Sequence, residues 1–291
     1  MASMVGCHAL REPGAPQGSI LAFEEPSADV ARHLNKRYAE TTADTDSYTE
    51  CRGPNGPDFV CSGVLLRGKN PPAKGHAWDL DPASQKYPDS VSFSWVRQDV
   101  PMTRLAFAYN AGFIFYPKKY GDSHGMDAIE VLCAFPIDGD TDARTLDAAH
   151  IGCGAARLYP DTSDLCQNQS PPIVDATQWR RHFDLVSGNP DQFRHQCGFD
   201  VSKSAKGTGT KAIFRESLIA RQALRLSEYN GKVNELVLRG WPVGTDVKLP
   251  IEAWFYWKSG ADDGRLKAQG YQLDFCHTTG RWVPIVEMAL P

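Results

Sequence analysis

No stretch of this 291-residue chain reaches the roughly 18 consecutive apolar positions that a membrane-crossing helix needs. Basic residues do not outnumber acidic ones. There are 31 Lys and Arg against 35 Asp and Glu, for a formal net charge of −4. That balance excludes a broad cationic field for nucleic acid or an anionic lipid surface. No Cys-x-x-Cys pair occurs, so the usual spacing of a zinc site is missing and no metal is expected. No internal repeat or low-complexity tract is found, which excludes a repeat array. The N-terminus lacks a basic stretch followed by an apolar one, so no signal peptide of ordinary form is read there.

Cysteine is plentiful instead. The eight cysteines are Cys7, Cys51, Cys61, Cys133, Cys153, Cys166, Cys197 and Cys276. An even number, widely spread, suits disulfides formed in an oxidising compartment. Buried free thiols in a cytosolic protein are the alternative. Cys133 with Cys153 and Cys166 with Cys197 are candidate pairs, because each closes a loop of moderate length.

Residues 1–58 form a polar segment with one helix, predicted from about Ser27 to Tyr38. From residue 59 onward the pattern changes to short β-type runs between turn signals. "FVCSGVLLRG", "VSFSWVR", the two halves of "RLAFAYNAGFIFYP" and "AIEVLCAFPID" read as strands. Helices are predicted over "ATQWRRHFDLV" and "GTKAIFRESLIARQALRL". In the second, Ile213, Ile219, Ala220, Ala223 and Leu224 share one face. Glu216 falls on that face as a hydrogen-bonded carboxylate. "NELVLRGW", "LPIEAWFYW", "YQLDFC" and "RWVPIVEMAL" read as further strands. The class is α+β, mostly short strands with a few helices. Residues 59–291 are expected to form one catalytic domain, or two packed halves with a boundary near 145–205.

Three strands carry candidate chemistry. The first ends in Arg67-Gly68, the second holds Ser92-Phe93-Ser94, and the third opens on Glu130. An arginine can grip a pyrophosphate through bidentate, charge-assisted hydrogen bonds. A carboxylate near a ribose can stabilise the positive charge that develops as a glycosidic bond breaks. Ser92 or Ser94 can brace that carboxylate or the ribose. Phe93 and Trp95 can wall a flat ring. Each residue also has a plainer use: Arg67 as a surface ion-pair partner, the serines as the solvent face of a strand, Glu130 as a junction carboxylate.

Two rivals stand beside this set. Glu252, between Ile251 and the aromatic block "WFYW", is a second candidate carboxylate in a desolvating setting. Structural use is its alternative. Cys61, with His76 downstream and Asp79 nearby, could form a nucleophile–base pair, giving a protease-like or deamidating effector. A disulfide or core role is the plainer reading of Cys61. A non-catalytic binding module that uses the aromatic stretches is the third class.

The order "LLRG", "VSFSW", "IEVLCAFP" resembles the Arg-Ser-Glu pattern of ADP-ribosyltransferases and related NAD+ glycohydrolases. Transferases that modify arginine carry Gln or Glu two residues before the catalytic glutamate. Ala128 stands at that place relative to Glu130, so the resemblance implies hydrolysis, or a target other than arginine. More broadly, "CSGVLLRG", "HAWDLDPAS", "AYNAGFIFYP", "QCGFDVS", "LPIEAWFYW" and "GRWVPIVEMALP" resemble the halovibrin family, from about residue 50 to the end. These are exported bacterial NAD+ glycohydrolase or ADP-ribosyltransferase-like proteins. The resemblance implies a split-sheet core, secretion, and a toxin or effector role. It implies NAD+ as substrate with no further cofactor, a protein side chain as the alternative acceptor, and an immunity protein as partner.

Overall fold

The structure, a computed structural model, describes residues 24–40, 62–72, 74–79, 90–100, 102, 105, 109–115, 131–139, 165–188, 196–201, 210–225, 228, 233–239, 241, 249–257 and 263–289. The elements in chain order are α1 (Glu24–Ala39), β1 (Val64–Gly68), β2 (Ser90–Val96), β3 (Ala111–Phe115) and β4 (Val131–Phe135). A short 3-10 turn at Cys166–Asn168 follows, then α2 (Ala176–Val186), β5 (Phe199–Asp200) and α3 (Thr210–Gln222). The chain ends with β6 (Glu235–Arg239), β7 (Ile251–Trp257), α4 (Asp263–Thr279) and β8 (Ile285–Met288). The fold is α+β.

The eight strands make one sheet in the order β5-β4-β6-β2-β1-β3-β7-β8. Strands from before and after residues 145–205 share this one sheet, with β6 between β4 and β2. Every pair is antiparallel except β7–β8, which is parallel. A parallel neighbour needs a crossover, and a helix is the usual one. That requirement corrects the reading of "YQLDFC" as a strand, because those residues lie inside α4. Gly264, Ala268, Tyr271, Gln272, Phe275 and Cys276 are its buried residues, at helical spacing.

One sheet face is covered by α2, α3 and α4. Leu65, Phe93, Trp95, Phe113, Phe115 and Trp254 meet Trp179, Phe183, Phe214, Leu218 and Phe275 in the main core. The helix over "ATQWRRHFDLV" forms as predicted, started by Asp175, whose side chain accepts from the Gln178 N–H. In α3 the inward face differs from the predicted one. Ile213, Ala220 and Leu224 are buried as expected, but Ile219 and Ala223 are exposed. Phe214, Ser217, Leu218 and Arg221 take the inner stripe. The Glu216 carboxylate accepts from the Ala176 N–H at 3.0 Å, so it is hydrogen-bonded as expected.

On the other face, α1 covers the β1–β3–β7–β8 side. Leu34 packs there with Val64, Leu66, Val96, Ile114, Ala253 and Phe255. A small separate cluster of Cys133, Phe135 and Val237 sits on the β4–β6 side of the sheet. Cys166 and Cys197 form a disulfide, as the loop-length reading proposed. Cys133 and Cys276 are also disulfide-bonded; Cys153, the expected partner of Cys133, lies outside the described residues. Among the described residues no helix is long and apolar enough to cross a membrane.

Candidate active site

Strand β2 changes partners along its length. Val96, Trp95 and Ser94 pair with Val64, Leu65 and Leu66 of β1. Ser90 to Phe93 pair with Arg239 to Leu236 of β6. Where each ladder stops, a side chain takes over. Beyond Leu66, Arg67 Nη1 donates to the Ser92 carbonyl. Beyond Phe93, the Trp95 N–H donates to Asn234 Oδ1 at 2.9 Å. Both bonds satisfy backbone groups that a regular ladder would otherwise have paired.

Side chains alternate across a strand. Val91, Phe93 and Trp95 therefore enter the main core, and Ser92 and Ser94 share the opposite face with Val96. On β6 the same alternation puts Leu236 and Leu238 in the core and Glu235 and Val237 on the serine face. The register sets Ser92 against Val237, so Glu235 lies diagonally from Ser92. Ser92 Oγ donates to Glu235 Oε1 at 2.5 Å. The Gly139 N–H donates to Glu235 Oε2 at 2.9 Å. Glu235 is only 4% exposed, while Ser92 and Arg67 are half-buried at the rim. The two donors offset the cost of burying that carboxyl group.

Gly139 can reach Glu235 because it has no side chain. A Cβ there would lie 2.8–3.0 Å from the Phe135 ring. The loop 136–139 thus folds tightly back over β4 and turns its last N–H toward β6. Gly68 serves Arg67 in a similar way: its ideal Cβ would be 2.7 Å from Tyr109 Cβ, so only glycine lets that residue pack here.

The sequence candidates fall into separate places. Arg67 and Ser92 come together, and Ser94 is buried on the same face. Phe93 and Trp95 lie in the opposite core: Phe93 packs against Phe113 and Phe115, and Trp95 meets Phe214 edge-on. Glu252 is buried against Arg37 of α1, with Arg37 Nη2 donating to Glu252 Oε2 at 2.8 Å. Its carboxylate holds the helix to the sheet. His76 Nδ1 sits 2.8 Å from Asp274 Oδ2 on α4, and the ring stacks on Trp78. Asp79 accepts from the His76 backbone N–H, closing the turn locally. Glu130 and Cys61 lie outside the described residues, and every described cysteine is in a disulfide.

Glu235 is the functional candidate that the sequence reading missed. In the sequence, "NELVL" stands out only as a strand. Its signal was an acidic residue opening an apolar strand, the same feature that singled out Glu130. Among the described residues no cluster of His, Cys, Asp or Glu is arranged to hold a metal ion. Comparison with protein-family models, curated proteins and solved structures finds no match to this chain.

Proposed function

We propose that this chain cleaves the nicotinamide–ribose bond of NAD+, with Arg67, Ser92 and Glu235 as the working set. The observation that carries the reading is the chain of contacts Arg67–Ser92–Glu235 across three adjacent strands. It joins the arginine and serine of the ADP-ribosyltransferase-like order to a glutamate, Glu235, that lies outside that order. Among the described residues the glutamate that meets Ser92 is Glu235; Glu130, outside them, stays the alternative carboxylate.

In the reaction the ribose C1′–nitrogen bond breaks and its electron pair leaves with neutral nicotinamide. The ribose takes on oxocarbenium character. The Glu235 carboxylate stabilises that charge, held in orientation by Ser92 Oγ and the Gly139 N–H. Arg67 braces the Ser92 strand and brings positive charge to the pyrophosphate side. Water adds at C1′ and loses a proton, giving ADP-ribose. Val233, two residues before Glu235, is buried and apolar. No polar side chain stands there to receive a guanidinium, which favours water over arginine as acceptor.

The disulfides fit a secreted enzyme, and a secreted NAD+ glycohydrolase fits a toxin or effector opposed by an immunity protein. The test is incubation with NAD+ and mass analysis of the products. Nicotinamide and free ADP-ribose in equal amounts are expected. Intact NAD+ after prolonged incubation with folded protein would remove the proposal.

A further inference from the structure

Glu235 is held from behind by a loop, and the loop is held by one buried amide. Gln196 is fully buried. Its Nε2 donates to the Ile137 carbonyl at 2.8 Å and to the Asp138 carbonyl at 3.2 Å. The next residue, Gly139, gives its N–H to Glu235. The Asp138 N–H is fixed separately, to the Val233 carbonyl at 2.6 Å. Gln196 itself is anchored through its neighbour. Cys197 is disulfide-bonded to Cys166, and its carbonyl accepts from Trp179 Nε1 of α2 at 2.9 Å.

The other half of the amide is informative. Gln196 Oε1 is buried with no hydrogen-bond partner. A buried carbonyl oxygen without a donor is unfavourable. A residue that keeps this buried orphan is there for its NH2 group, and that group donates to the two loop carbonyls. Gly139 itself packs close to the Phe135 ring, where a Cβ would lie 2.8–3.0 Å from its atoms.

We infer that Gln196 is a positioning residue for the reaction: it orients the peptide that aims the Gly139 N–H at Glu235. The inference rests on the Proposed function for the identity of the reaction, but its geometry stands without it. The path runs from the Cys166–Cys197 anchor through Gln196 and the loop 137–139 to Glu235 and Ser92.

Gln196→Met tests this. Methionine keeps the volume, removes the donors and also removes the orphan acceptor, so its cost to the fold is limited. Two readouts are needed. The first is hydrogen exchange of the Gly139 amide. It should be protected in the wild type and exchange about tenfold faster or more in the variant, with the Leu236 and Val237 amides unchanged. The second is steady-state cleavage of NAD+. The kcat should fall by about tenfold to a hundredfold, as a slightly misplaced catalytic group loses rate, while KM stays within about twofold. A structural role alone would lower the amount of folded protein without splitting kcat from KM.

An unprotected Gly139 amide in the wild type, or unchanged Gly139 exchange in the variant, would overturn the inference. So would a variant kcat equal to that of an active wild type. A wild type that releases no nicotinamide removes the Proposed function, and the exchange data then decide on Gln196 alone. Should Gln196→Met not fold, Gln196→Asn, which withdraws the amide by one methylene, is read by the same two measurements.

Discussion

Ser92 Oγ and Glu235 Oε1 lie 2.5 Å apart although 143 residues separate them in the chain. The contact exists because β6 pairs with the N-terminal half of β2 while β1 pairs with the other half. Glu235→Gln keeps the shape and the Gly139 contact but removes the charge. Nicotinamide release should fall by several hundredfold or more, the scale of losing a transition-state charge partner. Ser92→Ala should cost less, about tenfold, because it frees the carboxylate to turn without neutralising it. The check is nicotinamide release at matched folded protein. Full activity in Glu235→Gln together with inactive Glu130→Gln would return the assignment to Glu130.

Arg67 offers a second, independent handle. Its guanidinium reaches the Ser92 carbonyl where the β1–β2 ladder ends. Arg67→Lys keeps the charge and loses the planar fork. KM for NAD+ should rise markedly, by about tenfold, the size of one lost charge-assisted hydrogen bond. An unchanged KM and kcat would make Arg67 an ordinary rim residue.

What the sequence made legible follows from period. Ser92 and Ser94 alternate with Phe93 and Trp95, and that alternation sorts them onto opposite faces as observed. The α2 helix was equally readable from Trp179, Phe183 and its Asp175 cap. The misread elements share one cause. "YQLDFC" alternates like a strand, and only the parallel β7–β8 pairing requires a helix there. In α3, Arg221 and Ser217 are buried, and no rule of composition puts an arginine inside in preference to Ile219. The Arg67–Ser92 link joins neighbouring segments and was within reach. Glu235 was not, because the β2–β6 pairing is a long-range choice that neither strand announces. Both Glu130 and Glu235 precede or open apolar runs in the sequence, and the β2–β6 register brings Glu235 to Ser92.

The Arg37–Glu252 pair supplies the control against the rival carboxylate. Both side chains are nearly inaccessible, at 2% and 6% exposure. Glu252→Gln leaves an uncompensated buried guanidinium. Stability should drop by about 3–5 kcal/mol, the cost of breaking a buried pair from one side. Replacing both with Met should recover most of that loss. Nicotinamide release per folded molecule should stay near wild type in both variants, read alongside thermal melts. Loss of turnover in a stable Glu252 variant would promote it to the active site.

The last prediction concerns acid stability. Glu228 accepts from Arg180 at two positions, 2.7 and 2.9 Å, tying the end of the α3 segment to α2. The Arg180 guanidinium holds the Glu228 carboxyl down at about 2, against an ordinary value of 4.5. The arginine is pushed up in turn by its hydrogen bonds to Glu228 and Asp184. A carboxyl with a depressed folded value stabilises the fold above its unfolded value and loses that stabilisation as pH falls toward the folded one. The contribution should therefore be whole above about pH 5 and gone near pH 2. Both side chains are about 30% exposed, and solvent screening limits the pair to about 1 kcal/mol. Glu228→Gln should melt below wild type at pH 7, and the two curves should converge between pH 4 and pH 2. A gap in melting temperature that persists unchanged to pH 2 would show that Glu228 acts through packing, with no ionic part.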